Sequence, residues 1–272
     1  MKHILTIAGS DSCAGAGIQA DSKTINALGS YALNVITAIT AQNTKGVRTV
    51  QEIKAEVIYA QLEAIFSDIR VDAVKIGMLS SPEAIQAVAK FLRLLKKREE
   101  PEEYNYASLP IILDTVMVAK SGDRLLKKEA VECLKKELLP LATLITPNLP
   151  EAEELLGTKI TSIDTMSTAC RHLLTWGPQW VLVKGGHLTG EPIDVLGNEY
   201  IITNIPGSRI VTNNNHGTGC TLSAAIATYV GQGIDMLQAV KQAKSYVENC
   251  MRSGFAIGNG VGILDHHNLN HH

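Results

Sequence analysis

The residues best suited to chemistry gather at the ends of apolar runs. His216-Gly217-Thr218-Gly219-Cys220 stands directly before an alanine-rich stretch with no charged residue before Asp235. That pattern predicts a glycine turn opening a buried helix. Such a turn aims free N–H groups and the positive end of the helix dipole at one point, which suits an anion, typically phosphate. An ordinary glycine turn that starts a core helix explains the same residues equally well. Cys220 falls in the first turn of that helix, where a thiol is expected to have a lowered pKa and to be partly thiolate at neutral pH. Lys184 follows the apolar run Trp180 to Val183 and precedes two glycines. A lysine there either reaches a phosphate as a mobile point charge or starts a surface turn.

Polar and carboxylate partners accompany them. Asn148-Leu149-Pro150-Glu151 is a helix-start pattern, in which Asn148 can cap and Glu151 can close a capping box. The same two residues could orient Mg²⁺-bound water, because Mg²⁺ keeps much of its water shell. Asp114 ends an apolar run, where a carboxylate faces a metal or caps the strand. Gln42 offers a donor and an acceptor, which match an aminopyrimidine edge or water. Met78 and Val116 fit a core as readily as a pocket wall. Gly15-Ala16-Gly17-Ile18-Gln19-Ala20 matches G-x-G-x-x-A, but its glycines do not directly follow the strand and no acidic residue lies in the next strand for a ribose. A flexible loop at the mouth of a site is expected instead. The histidine-rich stretch His266 to His272 reads as a solvated end.

The elements that must position these residues alternate. Strands are predicted at Ile4–Ala8, Tyr31–Ile39, Val47–Ile53 (an edge piece), Ala73–Ile76, Ile111–Leu113, Thr143–Ile145 and Trp180–Val183. A hairpin is predicted over Val195–Ile205. Helices are expected over Ile18–Leu28, Ala55–Ile69, Pro82–Lys97, Glu129–Leu138, from Asn148 to Gly157, and over Met166–Trp176. Two further helices close the chain, split near Gly231-Gln232-Gly233. Glu99 to Ser108 reads as a solvated loop. Such alternation implies an α/β fold with a mostly parallel sheet, helices on both faces, and a ligand beyond the carboxyl ends of the strands. A single domain over 1–272 is the simplest organisation.

Composition narrows the partners. Hydrophobic residues make up 45% and charged residues 19%, enough for a sizeable core. A formal net charge of −2 and a single short basic tract, Lys96-Lys97-Arg98, disfavour nucleic acid and membrane surfaces. Five cysteines without a CxxC pair argue against a disulfide framework or structural zinc and fit a reducing compartment. With no signal-peptide core and no apolar run of about 20 residues, the cytoplasm is the expected location. Neither G-x-x-x-x-G-K-[ST] nor G-x-S-x-G occurs, so a P-loop enzyme and an elbow-type hydrolase are disfavoured.

Seven stretches, LTIAGSDSCAGAGIQADSKT, VITAITAQNTKGV, KIGMLSS, ILDTVMVAKSGDRLL, LITPNLPEAEELL, VLVKGGH and HGTGCTLSAAIA, give the chain a close resemblance to a known family. It resembles the hydroxymethylpyrimidine/phosphomethylpyrimidine kinases of thiamine biosynthesis, within the ribokinase-like superfamily. The resemblance implies a three-layer α/β/α sandwich, ATP and Mg²⁺, a small aminopyrimidine alcohol and its phosphate as substrates, and a homodimer. It implies that Gln42 reads the pyrimidine, that Asp21, Met78 and Val116 line its pocket, and that Lys184 contacts phosphate. Asn148 and Glu151 match the N-x-x-E element, with Glu151 and Asp114 near the metal. Gly217, Thr218 and Gly219 match the anion hole. Cys220 stands where sugar kinases of the superfamily carry an aspartate base, and the pyrimidine kinases share the cysteine. A related vitamin B6 kinase branch often has a lid cysteine where this chain has Ala119. Pyridoxal kinase is therefore the rival activity, and a non-catalytic pyrimidine-binding regulator the rival class.

Overall fold

The structure is a computed structural model, and it describes residues 1–98, 105–117, 128–188 and 190–267. The sequence-predicted loop Lys120 to Asp123, Ala119 and the charged stretch 99–104 lie outside the described residues. Strands β1 (His3–Asp11), β2 (Tyr31–Asn43), β3 (Gly46–Glu52), β4 (Ala73–Ile76), β5 (Ile111–Leu113), β6 (Leu144–Ile145), β7 (Trp180–Val183), β8 (Asp194–Gly197) and β9 (Ile202–Ile205) form one sheet. Its spatial order is β3-β2-β1-β4-β5-β6-β7-β8-β9. The six strands from β2 to β7 in that order run parallel, and β3, β8 and β9 extend the two edges by antiparallel pairing.

Helices α1 (Gly17–Ala27), α7 (Thr218–Gly231) and α8 (Met236–Arg252) cover one face. Helices α2 (Ala55–Phe66), α3 (Pro82–Leu95), α4 (Lys128–Glu137), α5 (Leu149–Leu156) and α6 (Ile163–Leu174) cover the other. Successive strand side chains point to opposite faces, and the core divides accordingly. Ile4, Ala73, Ile112, Leu144 and Leu182 meet α1, α7 and α8, whereas Leu5, Val74, Leu113, Ile145 and Val181 meet the opposite layer. With both faces covered, the central strands are continuous apolar runs rather than alternating ones. The charged exception, Lys75 in β4, is fully buried.

The predicted elements stand within a few residues of their expected bounds, with three differences. A small parallel pair, β10 (Asn214–His216) with β11 (Gly262–Ile263), has no counterpart in the sequence reading. The loop predicted to end at Ser108 includes a 3₁₀ turn, Tyr106–Ser108. Tyr106 there is buried, its ring 5.4 Å from that of Phe66. His266, expected in solvent, is 2% exposed and pairs with Thr221 Oγ1 at 3.0 Å. No helix among the described residues is long and apolar enough to cross a membrane.

Helix α5 ends where expected, at Gly157, whose φ of +69° lies in the left-handed region. Nothing lies within 4 Å of the position a Cβ would take there. Gly157→Ala should therefore lose only the conformational cost of that region, about 1–2 kcal/mol. The expected outcome is a lowered melting temperature with unchanged turnover. A loss of activity at temperatures where the variant is folded would contradict it.

Candidate active site

The parallel strands end along one edge of the sheet, and the polar residues singled out from the sequence stand there. Asp114 directly follows β5, Met78 lies just beyond β4, Lys184 directly follows β7, and Gln42 is the second-last residue of β2. A bridge between Asn148 and Lys184 prolongs the pairing of the β6 and β7 segments, with Lys184 N–H donating to Pro147 O at 2.8 Å. Opposite this edge, α7 begins.

Gly217 caps α7 with φ +88°, and a Cβ on it would overlap the Gly15 carbonyl oxygen. Both conformation and packing thus demand glycine. Thr221 N–H donates back to Gly217 O at 2.9 Å, closing the first helical turn. The amides of Thr218, Gly219 and Cys220 precede it and have no acceptor within the helix. A Cβ on Gly219 would stand 3.5 Å from Asp114 Oδ2 and 3.6 Å from Lys184 Nζ. Its absence leaves room for a ligand between the amides and those two charges.

Lys184 Nζ lies 3.2 Å from Asp114 Oδ1. Asp114 also accepts from Thr146 at 3.0 Å and from Ser223 at 3.4 Å. Burial alone would raise the Asp114 carboxyl, but the ammonium groups of Lys184 and Lys75 hold it below its ordinary value. Burial would likewise lower Lys184, and the carboxylates of Asp114 and Glu151 raise it instead. Glu151 is 6% exposed, and its Oε2 accepts from Asn148 N–H at 2.9 Å and Thr115 Oγ1 at 3.2 Å. Asn148 Oδ1 accepts from Glu151 N–H at 2.9 Å, completing the capping box. Burial pushes Glu151 up to about 7; Lys184 opposes this and Asp114 adds to it. The residue is thus both a cap and a charged neighbour of Asp114 and Lys184.

On the other flank of the turn, Gln42 Nε2 lies 3.3 Å from His216 Nε2, and Gln42 Oε1 accepts from Thr40 at 3.3 Å. The same His216 nitrogen donates to Asp11 Oδ2 at 2.9 Å. Asp11 further accepts from the N–H groups of Cys13, Gly15 and Ala16, so the loop expected to be flexible is clamped. Burial raises the Asp11 carboxyl, but His216, Cys13 and the loop amides bring it down to about 2. Asp11, Cys13 and His216 are the one grouping of three metal-capable ligands among the described residues. The donors already on Asp11 make it a clamp.

Asp21, matched to the pocket by the resemblance, is fully buried, its Oδ2 2.7 Å from Lys75 Nζ and accepting from the Thr6 hydroxyl. One expectation is corrected. Cys220 does not have a lowered pKa. Burial pushes its thiol up to about 11, and Asp21 and Asp114 add to this against Lys75 and the Gly17 N–H. The helix terminus is outweighed by burial and two carboxylates. Met78 and Val116 are partly exposed at their strand ends, Val116 N–H bonding Asp114 O at 2.9 Å. Sequence reasoning missed Lys75 and Asp11, and placed His216 in the glycine-turn stretch without a role of its own. A lysine inside the buried run Ala-Val-Lys-Ile was a readable signal for Lys75, and no pattern pointed to Asp11.

A parallel sheet covered on both faces, with an anion-ready helix start facing a lysine–carboxylate cluster at its carboxyl edge, defines an α/β/α enzyme of the ribokinase-like class. The sequence profile of the phosphomethylpyrimidine kinase family matches residues 11–265, and the chain belongs to that family. A hydroxymethylpyrimidine/phosphomethylpyrimidine kinase of Rhizobium meliloti is 47% identical over 96% of both chains. A thiamine biosynthesis bifunctional protein of Geobacter sulfurreducens is 45% identical over 97% of this chain, which spans 52% of that longer protein. Among solved structures, phosphomethylpyrimidine kinase of Clostridium difficile is 46% identical, with TM-score 0.78 over 91% of this chain and 98% of its own. Bacillus subtilis pyridoxal kinase bound to ADP is 33% identical, with TM-score 0.86 over 98% and 97%. Overall shape thus favours the second and sequence the first. We weigh sequence more heavily, because substrate choice lies in side chains rather than in the shared scaffold.

Glu151 gives a test of its double role. Its raised carboxyl stabilises the fold below the unfolded value of 4.5, and that contribution is lost as pH rises through about 7. Glutamine can close the capping box but does not ionise. Glu151→Gln should therefore gain stability relative to the parent between pH 4.5 and 7, by up to roughly 3 kcal/mol, in buffer without Mg²⁺ or nucleotide. Melting curves across that range check it, and parallel curves for both proteins would overturn it.

Proposed function

We propose that this protein is an ATP-dependent kinase that phosphorylates 4-amino-5-hydroxymethyl-2-methylpyrimidine and then converts the monophosphate to the diphosphate. One observation carries the reading: the 216–220 turn separates two unlike clusters. His216 meets Gln42 on one flank, and Gly219 faces Asp114 and Lys184 on the other. The first suits a ring that offers a donor beside an acceptor; the second suits an anionic phosphoryl group. The name of the 47%-identical relative, a hydroxymethylpyrimidine/phosphomethylpyrimidine kinase, supports the same substrates, and that of the 45%-identical one supports thiamine biosynthesis.

In this reading the amides of Thr218, Gly219 and Cys220 and the ammonium of Lys184 hold the transferring phosphoryl. Gln42 fixes the pyrimidine so that its hydroxymethyl oxygen lies in line with the γ-phosphorus, between Met78 and Val116. The substrate oxygen forms the new P–O bond, the bond from γ-phosphorus to the bridging oxygen breaks, and ADP leaves with that electron pair. The hydroxyl proton passes to the thiolate form of Cys220 Sγ, which the thiol reaches by first losing its own proton to solvent. Three buried carboxylates, Asp21, Asp114 and Glu151, stand against the two ammonium groups of Lys75 and Lys184, so an ionised Glu151 leaves negative charge to be balanced. That donor set fits a hard cation, and Asn148, Glu151 and Asp114 would hold Mg²⁺ with its waters. Mg²⁺ would neutralise charge on the nucleotide oxygens. We place the enzyme in the cytoplasm as a homodimer, which sedimentation velocity checks.

The likeness to pyridoxal kinase keeps pyridoxal as the second substrate to assay. A coupled assay of ATP turnover against both alcohols decides: pyrimidine-dependent turnover with the higher kcat/KM supports the proposal, and preference for pyridoxal overturns it. Gln42→Leu should lose about 1–3 kcal/mol in kcat/KM for the pyrimidine by leaving its polar edge unpaired, with ATP affinity nearly unchanged. An unaltered kcat/KM would remove Gln42 from substrate reading.

The two transfers differ in their need for a base. The alcohol must shed a proton, whereas the monophosphate has a second pKa near 6 and is already ionised at pH 7–8. Cys220→Ala should slow the first transfer by about 10²–10⁴-fold and the second far less. Because the parent thiol lies near 11, its thiolate fraction grows about tenfold per pH unit. The first transfer should accelerate from pH 7 to 9 while the second stays flat. Single-turnover kinetics with each substrate supplied separately tests both statements, and equal slowing of the two steps would make Cys220 structural.

A further inference from the structure

The scheme above uses His216 for its contact with Gln42 and leaves Cys13 without a task. Cys13, Asp11 and His216 bring three kinds of ligand atom, a sulfur, a carboxylate oxygen and an imidazole nitrogen, within 4.8 Å of one another. Cys13 Sγ lies 3.4 Å and His216 Nε2 2.9 Å from the same Asp11 Oδ2. Zn²⁺ binds sulfur at about 2.3 Å and nitrogen or oxygen at about 2.0 Å, so its tetrahedral ligands stand roughly 3.3–3.5 Å apart. The three atoms are thus already close to the separations of a zinc centre. Asp11 and His216 are buried, and Cys13 is the half-buried member that a cation meets first. Gly15 keeps the imidazole edge clear, because a Cβ there would overlap His216 Cδ2 and stand 3.1 Å from Nε2. The donors already on Asp11 do not bar a metal. Two of the protons meeting Oδ2 belong to the Cys13 sulfur and the His216 nitrogen, and those are the two that a cation replaces. The amides of Gly15 and Ala16 stay bonded to Oδ2 and hold the carboxylate, as outer partners hold a metal ligand.

We propose that Asp11, Cys13 and His216 form a binding site for Zn²⁺, with a fourth position open, and that its occupancy inhibits the enzyme. Sulfur and imidazole select such a cation against Mg²⁺, which takes oxygen ligands. Binding is an exchange of one proton for one cation. The Cys13 thiol gives its proton to solvent, and the His216 proton moves from Nε2 to Nδ1, freeing the Nε2 lone pair for the metal. A dication held by one thiolate and one carboxylate makes a neutral centre, which avoids leaving an unpaired charge in the interior. The cation would stand against Gln42, whose Nε2 is 3.3 Å from the same His216 nitrogen. The Gln42 amide oxygen can then turn to the open position, which takes it off the ring. Occupancy therefore blocks the pyrimidine and leaves the phosphate flank of Asp114 and Lys184 untouched. The site rests on its three ligand atoms; only its effect on turnover rests on the ring-reading role given to Gln42.

The test is titration of the metal-free chain with Co²⁺, a spectroscopic stand-in for Zn²⁺. A thiolate bound to Co²⁺ gives a charge-transfer band in the near ultraviolet. The expected result is that band at one Co²⁺ per chain, displaced by Zn²⁺ and unaffected by excess Mg²⁺. Because the chain has four other cysteines, the band is assigned with Cys13→Ser, whose hydroxyl can keep the bond to Asp11. That variant should lose the band and bind Zn²⁺ at least about 10–100-fold more weakly, the loss that removing even an outer partner of a ligand produces. The histidines near the chain end can take up Co²⁺, but without a thiolate band. Protection of Cys13 from iodoacetamide by Zn²⁺, read by peptide mass spectrometry, gives the same answer should the variant not fold. In turnover assays at fixed Mg²⁺ and ATP, Zn²⁺ should raise the KM for the pyrimidine, a chelator should reverse this, and Cys13→Ser should resist it. Absence of the band and of protection, or a band that persists in Cys13→Ser, would overturn the site. Equal inhibition of parent and variant would overturn its effect on turnover. Loss of the band with intact pyrimidine turnover would sink this inference alone; a Cys13-dependent band without turnover would sink the substrate assignment alone.

Discussion

The site depends on a row of buried charges that alternate in sign along the carboxyl edge of the sheet: Asp21, Lys75, Asp114, Lys184 and Glu151. Asp21 and Lys75 are in contact, as are Asp114 and Lys184, and the remaining neighbours act on each other through space. No member would be tolerable alone in this interior. Each lowers the cost of the next, which is why five ionisable groups persist beneath one helix. The array ends on a carboxylate, so it carries an excess of acceptors over ammonium groups. A polyanionic nucleotide approaching such an array requires lysines that stay charged, and the flanking carboxylates are what keep them so.

The fold around this row is ordinary in its physics. Parallel strands bury both faces, and their ends place side chains from β1, β2, β4, β5, β6 and β7 within one strip. Helix α7 supplies what the strip lacks, a set of unpaired donors. The close seat of Gly217 on the Gly15 carbonyl locks the N-terminal loop to that helix, so the donors, Gln42 and the charged row have fixed relative positions. Preorganisation of this kind is the main resource of a phosphoryl-transfer site, where little covalent chemistry falls to the protein.

Much of this was legible in the residues. The apolar runs and their turn residues gave the strands, and the Asn148–Glu151 spacing gave the cap that the structure contains. Lys184 and Asp114 were found because polar residues at strand ends collect where ligands bind, Gly219 because a glycine turn opens a buried helix, and Gln42 through the family resemblance. What sequence could not supply was pairing across long separations. Asp21 was matched to the pocket by the resemblance alone, and its pairing with Lys75 was not readable because that partner comes from another element. Cys220 was misjudged for a related reason: a local rule about helix starts gave no weight to carboxylates from α1 and the end of β5. The short β10–β11 pair and the buried His266 escaped because neither has an apolar period.

The clamp between Asp11 and His216 spans 205 residues. It joins the first strand to the start of α7, and closing so long a loop is entropically unfavourable until the intervening sheet has drawn its ends together. The anion turn is therefore among the last parts of the molecule able to form, however early its flanking strands pair. During synthesis the N-terminal loop emerges with no partner to hold it, and Gln42 waits with it. A growing chain thus passes through most of its length with neither the turn at 216–220 nor a fixed place for Gln42, and both appear together when α7 docks.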